Sequence, residues 1–207
     1  QQALGYSILK DSYFVEQLKK QAEERDFIIA GTSAGATILG THIVYDGASY
    51  ESSADANIIR DNEPAVLKVG EGLGILRRIA PDTHFLERSR IPRLTTDLAY
   101  NLLLFQGNSA TLGVGVDEDT MAIITADNRM KVFGSHNVTV IGIANSTIGY
   151  ATTYGVKRII VQDPLIHNLT HEGEFDIQTR SKVLPEGFVP VYQQGFPLNL
   201  LSGNDRS

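Results

Sequence analysis

The stretch Ile28-Ile29-Ala30-Gly31-Thr32-Ser33-Ala34-Gly35-Ala36 constrains this chain more than any other. The apolar run from Phe27 to Ala30 predicts a short buried strand. Ala36-Thr37-Ile38-Leu39 predicts the start of a helix, and only small residues stand between, with Ser33 at the apex. Strand, tight turn and helix make the geometry of a nucleophile elbow, and Gly31, Ser33 and Gly35 meet its Gly-x-Ser-x-Gly pattern. Small neighbours let the backbone turn sharply and let a substrate approach the hydroxyl closely. The helix points its first amides and the positive end of its dipole at the turn, where an oxyanion would form. The amide of Ala34 is therefore the candidate oxyanion donor. The competing reading is a tight strand-to-helix turn whose serine only caps the helix.

A chain of 207 residues, 42% apolar and 20% charged, has room for one α/β domain with a sizeable core and not for two. The net charge of −6 argues against a general affinity for nucleic acid phosphates. No apolar run approaches the roughly 20 residues of a membrane span. The absence of cysteine excludes a disulfide framework, a thiolate metal site and a cysteine nucleophile. Sequons at Asn137, Asn145 and Asn168 bear on localisation only in a eukaryotic secretory pathway, so cytoplasmic and secreted locations both stay open. Gln1-Gln2 runs almost at once into a helical pattern, and Asn204-Asp205-Arg206-Ser207 reads as an arbitrary stop. The expectation is a processed or incomplete chain.

Leu9, Phe14, Val15 and Leu18 space out an amphipathic helix over residues 5–24, and the helix after Ser33 is expected to run to residue 44. Residues 45–55 are small and polar, a loop able to fold back over Ser33. A strand is predicted over 75–80, a helix over 94–105 with Leu94, Leu98, Leu102 and Phe105 on one face, and a glycine-punctuated strand at Leu112–Val116. From 121 to 143 the pattern alternates, with a hairpin turn at Asp127-Asn128. Ile159–Val161 is a strand, and residues 172–207 look loop-rich. This order predicts an α/β fold: a mostly parallel sheet flanked by helices, with an antiparallel extension.

A serine nucleophile needs a base, and the base an orienting acceptor. Of five histidines, His84 follows a predicted strand, where the catalytic edge of a parallel sheet lies. His42 falls on the predicted helix after the turn, pointing elsewhere, and His136, His167 and His171 have no legible carboxylate pattern. His84 stands in Asp82-Thr83-His84-Phe85-Leu86-Glu87-Arg88-Ser89-Arg90-Ile91-Pro92-Arg93-Leu94. Three guanidinium groups near one site suit forked recognition of carboxylates. The plainer reading pairs them with Asp82 and Glu87 on a solvated edge. No pattern of metal ligands accompanies His84, and His167 and His171 lack the intervening glutamate of a metalloprotease helix.

Gly31-Thr32-Ser33-Ala34-Gly35-Ala36, Asp82-x-His84-Phe85-x-x-Arg88-x-Arg90-x-x-Arg93-Leu94 and Gly113-Val114-Gly115-Val116-Asp117-Glu118-Asp119-Thr120 together resemble the cyanophycinases. These belong to a serine peptidase family that also holds the aspartyl dipeptidases, and the arginine-rich motif points to the cyanophycinase branch. The resemblance covers roughly residues 2–145. It implies Ser33 as nucleophile, His84 as general base and Glu51 as the acid of the triad. It also implies a substrate pocket lined by Gln2, Asp82, Thr83, Arg88, Arg90 and Arg93. The implied substrate is cyanophycin, a poly-aspartate with arginine on each side-chain carboxyl, cut to β-aspartyl-arginine dipeptides without metal or organic cofactor.

Thr83 stands where cyanophycinases usually carry glutamine, and the family's first strands, with a Gly-Gly turn that completes the oxyanion hole, are not in this chain. The expectation is a single domain over 1–207, incomplete at its N-terminus, whose upstream segment of about 80 to 110 residues lies on a second chain or is absent. A homodimer and an acidic or β-aspartyl peptide are the other expected partners, with neither nucleic acid nor membrane among them. Two alternatives remain: a peptidase for other isoaspartyl or acidic peptides, and a non-catalytic relative that uses the pocket to hold a ligand or partner.

Overall fold

The structure, a computed structural model, describes residues 2–24, 28–46, 55–61, 63–104 and 112–183. It begins with α1 (Gln2–Leu9), α2 (Tyr13–Glu24) and the single-turn α3 (Ala34–Thr37). Then come β1 (His42–Asp46), β2 (Ile58–Arg60), β3 (Glu63–Pro64), β4 (Lys68–Glu71) and β5 (Ile79–Thr83), followed by α4 (Ile91–Leu104). The rest is β: β6 (Leu112–Val116), β7 (Thr120–Ile124), β8 (Arg129–Gly134), β9 (Val138–Gly142) and β10 (Thr147–Thr153). Last are β11 (Val156–Gln162), β12 (Leu165–Leu169), β13 (Glu174–Asp176) and β14 (Ser181–Val183).

Two helices replace the single one expected over 5–24. Ser12 is the reason: its Oγ donates to Leu9 O at 2.7 Å and accepts from Val15 N–H at 3.3 Å, closing α1 and capping α2. Residues 28–30 form no strand, and Ile28 is 92% exposed. An apolar run becomes a strand only where a neighbour takes up its amides and carbonyls, and none of the described strands pairs with it. The helix after Ser33 ends at Thr37, so His42 opens β1, buried, and does not lie on a helix.

The described strands form a two-stranded sheet, β1-β4, and three four-stranded ones, of which β10-β11-β2-β3 is one and the other two stack around the centre. In the first, ordered β12-β9-β6-β5, β5 and β6 run parallel and are joined by α4. The second is ordered β14-β13-β8-β7. The expected mostly parallel sheet is thus corrected: among the described strands, β5–β6 is the one parallel pair and the other nine pairs are antiparallel. A parallel pair needs a long crossover, which α4 supplies, whereas the turns at 125–128, 154–155 and 177–180 each join two strands that pair antiparallel and are short enough only for chain reversal.

The core follows from the alternation of β6. Leu112 and Val114 face the second sheet, packing with Met130, Val132, Val138, Val140 and Phe175. On the opposite face, Leu94 and Leu98 of α4 pack with Ala80, Ile141 and Phe85. Gly115 lies on that face, where a Cβ would fall 2.3–2.5 Å from three ring atoms of Phe85. The bare backbone makes room for Phe85, which is fully buried and immediately follows His84. The packing of one aromatic ring therefore fixes where the loop after β5 begins.

Candidate active site

Ser33 sits between residues 28–32, which form no regular element, and α3, with φ 49° and ψ −122°. A non-glycine residue there is strained and needs surrounding structure to hold it. Gly31 permits the turn, because a Cβ on it would lie 2.5 Å from Gly35 O. The Ser33 hydroxyl makes no capping bond to α3. It lies instead 3.0 Å from His84 Nε2. The cap role weighed in the sequence is therefore not the one its side chain takes up.

His84 stands at the C-terminal end of β5, also at a positive φ of 50°. Its Nδ1 is 2.8 Å from Glu118 Oε1. A carboxylate only accepts, so the proton of a neutral imidazole sits on Nδ1, and Nε2 is left to accept from the Ser33 hydroxyl. Hydroxyl, imidazole and carboxylate thus form one hydrogen-bonded line. The carboxylate in this line is Glu118; Glu51, the acid expected from the sequence, lies outside the described residues. A signal for Glu118 was present. It follows β6, the parallel neighbour of β5, and parallel neighbours bring their C-terminal ends side by side.

The neighbouring residues of the third motif fasten these parts together. Asp117 accepts Leu86 N–H at 3.0 Å and Asn137 N–H at 3.2 Å, tying the His84 loop to the turn before β9. Glu87 Oε1 accepts Glu118 N–H at 2.8 Å. His136, for which the sequence offered no carboxylate partner, has Nδ1 3.0 Å from Glu118 O and 3.7 Å from Glu87 Oε1.

The arginine-rich motif divides. Arg88 is exposed on the loop after His84. Arg90 and Arg93 are 3% and 1% exposed, and both are paired to Asp82, itself 1% exposed. Arg93 Nε donates to Asp82 Oδ2 at 2.9 Å, and Arg90 Nη1 to Asp82 Oδ1 at 3.0 Å and to the Thr83 carbonyl. These three were expected to line the pocket, and the structure turns them inward against one another. Thr83, 9% exposed, is held from beneath by Arg90, and Gln2 opens α1. Burial lowers the Arg90 pKa. Behind Arg93, burial and the nearby Asp82 charge raise Asp97 to about 7. Removing one partner of such a buried cluster leaves an uncompensated charge, which typically costs about 3–5 kcal/mol.

A serine, an imidazole and a carboxylate in this order are the parts serine-hydrolase chemistry uses: the base takes the hydroxyl proton and the acid stabilises the imidazolium. No family model matches the chain. It is 31% identical over 163 residues to a cyanophycinase of Geminocystis herdmanii, covering 78% of this chain and 52% of that protein. It is 32% identical over 176 residues to a cyanophycinase of Synechococcus elongatus (80% and 50%), and 27% identical over 179 residues to one of Trichormus variabilis (86% and 54%). These relatives support a cyanophycinase-like family for the chain. It spans about half the length of the curated relatives it matches.

Proposed function

We propose that this chain carries the catalytic centre of a serine-type peptidase that hydrolyses β-linked aspartyl peptides, cutting cyanophycin to β-aspartyl-arginine dipeptides. The observation that carries this reading is the line from Ser33 Oγ through His84 to Glu118, at 3.0 and 2.8 Å, in a chain similar to proteins named cyanophycinase. Both distances fall within the reach proton transfer needs.

In this reading Ser33 Oγ attacks the scissile carbonyl carbon while its proton passes to His84 Nε2. Glu118 stabilises the resulting imidazolium, and the Ala34 amide donates to the oxyanion. His84 returns the proton to the leaving nitrogen as the C–N bond breaks, leaving an acyl group on Ser33. Water, deprotonated by His84, then attacks the acyl carbon, and Ser33 leaves with its proton restored. Arg88, exposed beside His84, and Gln2 and Thr83 are the proposed substrate contacts. Asp82, Arg90 and Arg93 act from below by holding the end of β5.

The test is incubation with cyanophycin and mass-spectrometric detection of β-aspartyl-arginine. Wild type should release the dipeptide, and Ser33→Ala should lose activity by several orders of magnitude while keeping its melting temperature. Cleavage of other β-aspartyl peptides but not of cyanophycin would overturn the substrate and keep the chemistry. Equal activity in Ser33→Ala would overturn the chemistry.

A further inference from the structure

We propose that Glu87 and His136 are positioning residues that hold Glu118 on the His84 imidazole by gripping its main chain from both sides. The proposal rests on the Ser33-His84-Glu118 reading and adds two residues to it. The Glu118 side chain is 49% exposed and lies on a turn between two sheets, where a glutamate would ordinarily rotate in water. Yet its Oε1 stands 2.8 Å from His84 Nδ1. Ordering a solvent-facing side chain of this length has an entropic cost, which a fixed backbone origin reduces.

The fixing groups are in place. Glu118 N–H donates to Glu87 Oε1 at 2.8 Å. The Glu118 carbonyl accepts from Thr120 Oγ1 at 2.9 Å and from His136 Nδ1 at 3.0 Å. A carbonyl cannot donate, so His136 must carry its proton on Nδ1. The backbone N–H of His136 also donates to Thr120 Oγ1 at 3.1 Å, which closes a ring around that carbonyl. Glu87 Oε1 and His136 Nδ1 are 3.7 Å apart, so the two gripping side chains also attract each other whenever His136 is protonated.

Placement gives the grip its consequence. Glu87 lies three residues after His84 on the same loop, so the segment that bears the imidazole also holds the acid facing it. His136 comes from the turn between β8 and β9, which Asp117 ties to that loop through Asn137 N–H and Leu86 N–H. Neither Glu87 nor His136 has a hydrogen bond to Ser33 or His84 among the described residues. They act through Glu118.

The test measures the rate at which Ser33 reacts with a fluorophosphonate, together with the low-field proton resonance of His84 Nδ1–H, assigned by its loss in Glu118→Gln. Glu87→Ala and His136→Ala should slow labelling by on the order of ten- to a hundredfold, the scale of a misplacement near 1 Å. They should also shift or broaden the low-field resonance. Glu87→Gln keeps the acceptor oxygen and His136→Asn a donor near the Nδ1 position, so both should restore labelling and resonance. If Glu87→Ala fails to fold, His136→Ala against His136→Asn makes the same comparison. Wild-type labelling and an unchanged resonance in both alanine variants would overturn the proposal. A wild-type protein with neither labelling nor a low-field resonance would overturn the triad reading itself, and the grip with it.

Discussion

Ser33, His84 and Asp119 hold φ values of 49°, 50° and 50°, conformations that cost non-glycine residues on the order of 1–3 kcal/mol each. All three border the line from hydroxyl to carboxylate, so the strain aims side chains that relaxed backbone would point elsewhere. Glu118, next to Asp119, receives its direction from this arrangement. Glu118→Gln should lower kcat by roughly 10³–10⁴, because an amide no longer holds the imidazole in the right tautomer or stabilises its cation. Glu51→Gln should leave kcat near wild type. Steady-state rates of the two variants decide between the acids, and the reverse order would return the role to Glu51. Ser33 and His84 were legible because each follows an apolar stretch in a motif with its own chemistry. The signal for Glu118 was incomplete, since Asp117-Glu118-Asp119 offers three carboxylates at the end of β6 and only the register of β6 on β5 says which of them reaches His84. Arg90 and Arg93 were assigned to the pocket without a view of their pairing, because spacing brings charges together without telling whether they face water or, as in the structure, Asp82.

One helix and four strands were legible at the next scale. The apolar spacing of Leu94, Leu98 and Leu102 and the pattern Leu112-Gly113-Val114-Gly115-Val116 made α4 and β6 readable, and the alternation over 121–143 gave β7, β8 and β9. The break at Ser12 and the early end of α3 were hidden because hydrophobic period marks faces better than ends. Under α4, Asp97 is 1% exposed, and its Oδ1 accepts from Asn101 Nδ2 at 2.6 Å. Burial and the Asp82 charge raise its pKa from 3.8 to about 7. Between those values the folded protein holds a proton that the unfolded chain has released, so unfolding free energy falls as pH rises. Asp97's contribution is fully present below about pH 4 and lost as pH passes through about 7, an effect of a few kcal/mol at roughly 1.4 kcal/mol per pKa unit. Asp97→Asn keeps an acceptor for Asn101 and abolishes the titration. Its denaturation midpoint should therefore change less between about pH 5.5 and pH 8 than that of wild type. An unchanged difference would show that Asp97 does not titrate in this window.

At the scale of the molecule, the chain passes from the first sheet to the second within residues 117–119, and the acid facing His84 lies on that crossing. What sets the crossing is how closely the end of β8 approaches it. Gly134, paired with Thr120, has φ 136°, and a Cβ there would stand 2.3 Å from Asp119 O and 2.6 Å from Thr120 Cα. Those atoms are backbone, so no side chain could rotate aside to relieve the clash. Ser135 N–H donates to the same Asp119 carbonyl at 3.0 Å, which keeps the two segments together. Gly134→Ala should therefore act twice. The strained conformation should cost about 1–3 kcal/mol of stability. The displaced crossing should carry Glu118 off His84, and a shift near 1 Å is worth up to roughly a hundredfold in rate. Gly149→Ala is the matched control, since nothing lies within 4 Å of the Cβ it would add. Denaturant midpoints and turnover per folded molecule, measured on both variants, separate the two effects. Gly149→Ala should leave turnover near wild type, while Gly134→Ala should lower both. A Gly134→Ala protein that is less stable yet turns over at the wild-type rate would show that the crossing between the sheets does not govern the position of Glu118.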